Sequence, residues 1–289
     1  MKILVVGDFH GTFPKKIKDL VKTKKIDLVL SNGDYLPFHY RKLWFDNCYH
    51  TDVYLWEVIG KEKYKKLIEK DLAIGEKAIR ELNSLKIPVI TVLGNVDYPL
   101  ADDIHDSKTS KKSKKKESWD FARNEHIKVV KLLKKYPNIK RIDYDYTTIG
   151  DFVFIGGRGH SAPGYVQSKG YKKHRAILEK LFFKFRKENK NSRVIFLTHN
   201  VPYNTKLDKI KHGVQKGKHY GSKMFRRILE KHQPILHIGG HIHESRGKQK
   251  LGNTLCINPG SVHEGKAAII EIGIDENGRG KVTKVNMIG

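Results

Sequence analysis

Cysteine is almost missing from this chain: two residues, Cys48 and Cys256, in 289. Two thiols exclude a disulfide-stapled scaffold and a thiolate zinc site of about four ligands, and they point to a reducing, cytoplasmic compartment. Long apolar runs are missing too. None approaches the ~20 residues of a membrane-spanning helix, which excludes an integral membrane protein of that kind. The start, Met1-Lys2-Ile3-Leu4-Val5-Val6-Gly7-Asp8, turns acidic before it reaches the ~7–15 apolar residues of a signal peptide. Acidic residues are scarce: 31 Asp+Glu stand against 57 Lys+Arg, a formal net charge of +26. Such a surplus favours polyanions, nucleic acid or nucleotides among them, and it equally fits a lysine-rich surface with no specific partner.

What is present reads as globular: 38% hydrophobic and 30% charged residues over a length that buries a substantial core. Short apolar runs at 2–7, 26–31, 88–93, 152–155, 193–198, 234–238, 254–257 and 267–272 have the character of strands buried on both faces. Helical stripes lie between them. Residues 62–85 put Tyr64, Leu67, Ile68, Leu72, Gly75, Ile79 and Leu82 on one face, and 171–188 do the same with Ile177, Leu178, Leu181, Phe182 and Phe185. The alternation predicts an α/β layered fold, a single domain over 1–289. Two stretches read as insertions. Residues 35–60 are aromatic-rich and predict a satellite core that also caps the site. Residues 99–118 carry Lys108, Lys111, Lys112, Lys114, Lys115 and Lys116, which predict a solvated loop or, alternatively, a nucleic-acid-binding arm.

The chemistry lies in what ends the runs. They terminate in Gly7-Asp8-Phe9-His10, Asn32-Gly33-Asp34, Gly94-Asn95-Val96-Asp97, Thr198-His199-Asn200 and Gly239-Gly240-His241-Ile242-His243. Open α/β sheets place ligand sites at the carboxyl ends of strands. Asp8, His10, Asp34, Asn95, His199, His241 and His243 form a sulfur-free donor set suited to Mn, Fe, Zn or Ni. Seven donors exceed one tetrahedral ion and fit two divalent metal ions if one carboxylate bridges them, Asp34 being the candidate.

The order Asp-x-His, Gly-Asp, Gly-Asn, Thr-His, Gly-His-x-His resembles the calcineurin-like metallophosphoesterase superfamily, over residues 1 to about 265. The segments around Thr198-His199-Asn200-Val201-Pro202 and Ile257-Asn258-Pro259-Gly260-Ser261 are similar to its compact prokaryotic branch. The resemblance implies a four-layer α/β/β/α sandwich of two mixed sheets. It also implies one metal on Asp8, His10, Asp34 and His243, and another on Asp34, Asn95, His199 and His241. The implied activity is hydrolysis of phosphomonoesters or phosphodiesters, with Asn95, Asp97 and His199 in the catalytic machinery. Two alternatives within the superfamily are a metal-dependent nuclease on DNA or RNA and a scaffold protein, and retention of all seven donors argues against the scaffold.

The chain departs from the pattern at Val96. Many members carry there a histidine that protonates the leaving group, with the following acid, here Asp97, orienting it. Arg158 and His160, in Gly157-Arg158-Gly159-His160, are the expected substrate contacts, and His160, His219 and His263 are alternative proton donors.

Overall fold

Val and Ile at alternate positions of a strand face opposite sides of its sheet, so strands apolar at every position must be covered on both faces. That is the arrangement found. The structure is a computed structural model and describes residues 1–49, 51, 53–97, 119–160, 162–213 and 215–289. The Lys-rich stretch expected at 99–118 lies outside the described residues.

The first sheet joins β1 (Lys2–Val6), β2 (Leu28–Ser31), β3 (Val89–Thr91) and β4 (Ile139–Arg141) in parallel, and antiparallel β11 (Ala267–Ile274) and β12 (Gly280–Ile288) extend it past β1. The second sheet joins β6 (Phe152–Gly157), β7 (Val194–Asn200), β8 (Leu236–Gly240) and β10 (Thr254–Asn258) in parallel. It is closed by antiparallel β5 (Tyr146–Ile149) at one edge and β9 (Gly247–Leu251) at the other.

Ile3, Val5, Leu28 and Leu30 pack against Phe152, Phe154, Ile195, Leu197 and Ile238, which form the core between the sheets. The opposite faces take helices. Leu4, Val6 and Val29 meet Ile17 and Val21 of α1 (Lys15–Thr23), Ala78, Ile79 and Leu82 of α4 (Lys61–Asn83) and Val129 of α6 (Glu125–Leu133). Val153, Ile155, Val194 and Phe196 meet Tyr171, Leu178 and Phe182 of α7 (Lys169–Lys184) and Met224, Phe225 and Ile228 of α9 (Lys223–His232). Helix, sheet, sheet, helix is the expected four-layer order.

The aromatic stretch 35–60 folds into α2 (Arg41–Cys48) and α3 (Leu55–Ile59) and fills a separate core. There Tyr40, Leu55, Trp56, Tyr64 and Ile68 pack together, with Trp119 edge-on to Trp56 at 5.4 Å. No helix among the described residues is long and apolar enough to cross a membrane.

Candidate metal centre

All the parallel strands that carry a predicted donor deliver it just past, or within, their carboxyl ends. The turns there are tightly stitched. Asp8 N–H donates to Gly33 O at 2.8 Å, His10 N–H to Asp34 O at 3.0 Å, Val262 N–H to Gly7 O at 2.8 Å, and the Ser261 hydroxyl to Asp8 O at 2.8 Å. Asp8, His10, Asp34 and His241 all have left-handed backbone, with φ of 53°, 43°, 57° and 73°. Each such residue with a side chain costs on the order of 1–2 kcal/mol, and strain of this kind concentrates at working sites. Glycine is needed where the turns close. A Cβ on Gly94 would lie 1.9 Å from Asp34 Oδ1, and one on Gly240 would lie 2.5 Å from Asp8 Oδ2.

The donors fall into two groups, Asp8 with His10 and His243, and Asp34 with His199 and His241. In the second group, His199 Nδ1–H donates to Asn32 O at 2.8 Å, so its Nε2 carries a lone pair. That nitrogen faces Asn95 Oδ1 at 2.7 Å, His241 Nδ1 at 3.3 Å and Asp34 Oδ2 at 3.5 Å. Lone pairs crowded this closely repel one another unless a cation lies among them, and carboxylate, imidazole and amide oxygen are the donors such a cation takes. In the first group, His243 Nε2 lies 3.3 Å from Asp8 Oδ1 and 3.4 Å from His10 Nε2. The residues therefore fit divalent metal in both groups.

The electrostatics agree. Burial pulls His10, His199 and His241 below the usual imidazole range, which leaves neutral rings, the form that ligates metal. His243 goes the other way. Burial lowers it, but the Asp8 carboxylate, hydrogen-bonded to it, and Asp34 lift it to about 9. Burial likewise raises Asp8, yet His243, with His199 and His10, outweighs it and holds the carboxyl below its ordinary range. Burial pushes Asp34 up to about 6, with His10 opposing and Asp8 adding to the rise. A cation beside each carboxylate removes that penalty.

Asp97 is fully buried and accepts four backbone N–H groups: Asp34 and Tyr35 at 2.7 Å, Gly94 at 2.9 Å and Leu36 at 3.2 Å. It straps the turn after β2 to the turn after β3. Val96 packs on the outer core, and its N–H donates to Asp34 Oδ1 at 2.9 Å. His160 is enclosed: its Nε2 lies 2.8 Å from Ser222 Oγ, and its N–H donates to Asn200 Oδ1 at 3.1 Å. Arg158 lies half-buried, with Nη2 3.3 Å from His174 Nε2 and its guanidinium 5.5 Å from the centre of the Tyr144 ring. His263, by contrast, is exposed, edge-on to His10 with ring centres 6.5 Å apart.

Two residues that the sequence reading passed over belong to this region. Asn32 is wholly buried, and neither amide atom has a hydrogen-bond partner. Asp208 anchors the segment that follows β7. It accepts from Asn204 N, Thr205 N, Gly221 N and Thr205 Oγ1, and His219 Nδ1 lies 2.7 Å away. Asn32 stands beside the Gly33-Asp34 pair without being one of its donors, Asp208 lies in no motif, and a turn asparagine and a loop aspartate are ordinary residues in any sequence. Tyr49, from α2's end, hydrogen-bonds Tyr220 of that same segment, so the aromatic insertion reaches across to the far sheet's loop.

Comparison with known proteins bears on this geometry. Residues 1–245 match the profile of calcineurin-like phosphoesterases. Over 121 residues the chain is 34% identical to the uncharacterized protein MJ1162 of Methanocaldococcus jannaschii, an alignment covering 41% of this chain, and it spans about half (52%) of that curated relative's length. The fold is that of TT1561 of Thermus thermophilus, with a TM-score of 0.54 and 15% identity over 99% of this chain and 97% of that one. It is also that of a dimetal phosphatase from Danio rerio, with a TM-score of 0.52 and 12% identity over 100% and 98% of the two chains. With the profile covering every donor of both groups, the chain belongs to the calcineurin-like phosphoesterase family.

Proposed function

We propose that the protein hydrolyses phosphomonoesters or phosphodiesters with two divalent ions, manganese, iron, zinc or nickel. One ion is held by Asp8, His10, Asp34 and His243, and the other by Asp34, Asn95, His199 and His241. The observation that carries this reading is the unprotonated His199 Nε2 facing Asn95 Oδ1, His241 Nδ1 and Asp34 Oδ2 within 3.5 Å. The ions, when bound, supply an acidified water near neutral pH and positive charge against the phosphoryl oxygens.

The chain's own residues do the rest. Asn95, with its carbonyl oxygen turned to His199, keeps an NH₂ to donate to a phosphoryl oxygen as charge builds there. Asp97 acts at one remove, fixing the Asp34 and Gly94 backbones on which two donors ride. Val96 has no proton to give, so substrates with good leaving groups are favoured over poor ones, a handicap on the order of 10²–10⁴-fold where acid catalysis matters. Arg158 remains the cationic candidate for a substrate contact. His160, tied to Ser222 and Asn200, serves it by fixing the loop.

Metal analysis of the purified protein, paired with bis- and mono-(p-nitrophenyl) phosphate assays, tests the proposal. Asp34→Ala and His199→Ala are each expected to lower bound metal and to cut turnover by roughly 10²-fold or more. Retention of metal and rate by both variants removes the assignment. Stoichiometric metal without turnover on any ester leaves a binding protein on an enzyme's fold.

A further inference from the structure

The segment between β7 and α9, residues 201–222, begins two residues past His199 and stands out for its charge. Lys206, Lys209, Lys211, Lys216 and Lys218 are all exposed, and among the described residues none of their ammonium groups is ion-paired. Its one acid, Asp208, is fully buried and taken up by the loop's own donors. Nothing in the loop therefore offsets five positive charges.

The charges are displayed from a built surface. Lys209 pairs antiparallel with His219, Ile210 N–H donates to Lys218 O at 2.9 Å, and Gly217 N–H donates to Ile210 O at 2.8 Å. Ser245 Oγ donates to Lys209 O at 2.5 Å, which docks the hairpin beside His243. Two aromatic rings flank the lysines, one at each end of the segment. Tyr203 and Tyr220 are half-buried, the Lys223 ammonium lies 5.1 Å from the Tyr203 ring centre, and Tyr220 is bonded to Tyr49 of the opposite wall.

Lysines that neutralise successive phosphates, alternating with rings that stack on bases, are the recognition chemistry of unpaired nucleic acid. A duplex hides its base faces and gives the tyrosines nothing to stack on, and a single nucleotide gives five lysines too few phosphates. We infer that loop 201–222 is a ledge for single-stranded nucleic acid, which presents a phosphodiester of that strand to the metal centre. The inference rests on the phosphoesterase reading above for what happens to the strand, but not for the binding itself.

Fluorescence anisotropy of the full chain with labelled 20-nucleotide dT and U strands, in EDTA so that nothing is cut, tests it. Lys209→Glu/Lys211→Glu/Lys218→Glu is expected to weaken binding at least tenfold. The same triple is expected to reduce the slope of log K against log salt by about 2, at ~0.7 per lost phosphate contact. A control with the same charge change on the far helical layer, Lys22→Glu/Lys24→Glu/Lys131→Glu, is expected to weaken it less than threefold. Tyr220→Leu is expected to lower strand affinity but not affinity for inorganic polyphosphate, and Tyr220→Phe to retain both. Equal losses in the two triples, or equal binding of strand, duplex and polyphosphate with no effect of Tyr220→Leu, overturns the ledge in favour of general charge attraction. Hydrolysis of bis-(p-nitrophenyl) phosphate is expected to survive the loop triple. Wild-type protein that hydrolyses bis-(p-nitrophenyl) phosphate but binds no strand counts against the ledge alone, and wild-type protein that binds strand without any hydrolysis counts against the phosphoesterase reading alone.

Discussion

Asn32 fills the space that Gly7 and Gly240 leave open: a Cβ on Gly7 would lie 1.1 Å from its Oδ1, and one on Gly240 would lie 2.2 Å from its Nδ2 and 2.5 Å from Asp8 Oδ2. Its carbonyl meanwhile holds the His199 ring at 2.8 Å. One residue thus holds His199 by its main chain and, by its side chain, fills the space over Gly240 that the Asp8 carboxylate also borders. An unpaired buried amide costs roughly 1–3 kcal/mol, and under the proposed two-ion site its place beside the Asp8 carboxylate is expected to serve the metal rather than the fold. Asn32→Ala is expected to weaken manganese binding by roughly 10–100-fold in calorimetry, while the unfolding midpoint in EDTA holds or rises. A fallen midpoint with unchanged metal affinity would reassign Asn32 to packing.

At the scale of elements, loop 201–222 depends on a single carboxylate. Asp208→Ala leaves three backbone N–H groups, of Asn204, Thr205 and Gly221, without their acceptor, while the Thr205 hydroxyl keeps Pro202 O; the cost is about 2–4 kcal/mol for such a network. Limited proteolysis is expected to cut the variant inside 201–222 and the parent far more slowly, with the sheets intact by circular dichroism. Uncut variant loops would show that the bond of Ser245 to Lys209 O and those of the Arg226 guanidinium to Tyr203 O and Asn204 O suffice.

Which elements were legible follows a physical line. The eight apolar runs of the sequence became β1, β2, β3, β6, β7, β8, β10 and β11, every one an interior strand of its sheet. The four strands without such a signal, β4, β5, β9 and β12, are the four sheet edges. Edge strands face water on one side and defend themselves with charge, as Lys248 and Lys250 do on β9 and Lys281 and Lys284 on β12, so the apolar run that marks a strand is absent. The seven candidate donors were legible for the opposite reason: six sit against glycine or threonine at the end of a strongly apolar run, and His243 follows His241 at the alternate position. Asn32 and Asp208 act through space and main chain, and neither leaves a pattern in one dimension.

For the molecule as a whole, acidity and charge act together. His237 is buried on the helix-covered face of β8, its ring centre 5.6 Å from that of Phe196 and its Nε2 2.8 Å from Thr198 Oγ1, and burial pulls it down to about 3. The unfolded chain takes up a proton at this residue below pH 6.5 and the fold does not. Its contribution to stability is therefore complete above 6.5 and declines toward pH 3, at up to about 1.4 kcal/mol per unit. Urea midpoints measured in EDTA are expected to fall steadily from pH 7 to pH 4.5, and His237→Gln is expected to flatten part of that fall. An unaltered slope in His237→Gln would place the titration on other buried imidazoles. A net charge of +26 works in the same direction, since it grows further as carboxylates protonate.

The left-handed turns at Asp8, His10, Asp34 and His241 bear on how the protein matures. Three of them are held by ties that make no use of the donor atoms, Asp8 N–H to Gly33 O, His10 N–H to Asp34 O and Asp34 N–H to the Asp97 carboxylate, while His241 N–H leans on Asp8 Oδ2 at 3.3 Å. Pairing of β1, β2 and β3 therefore sets the positions of Asp8, His10 and Asp34 in advance. The chain is therefore expected to take its shape in EDTA, with an unchanged far-ultraviolet circular dichroism spectrum, and the ions offered afterwards are expected to decide which of them occupies a frame that folding has already drawn.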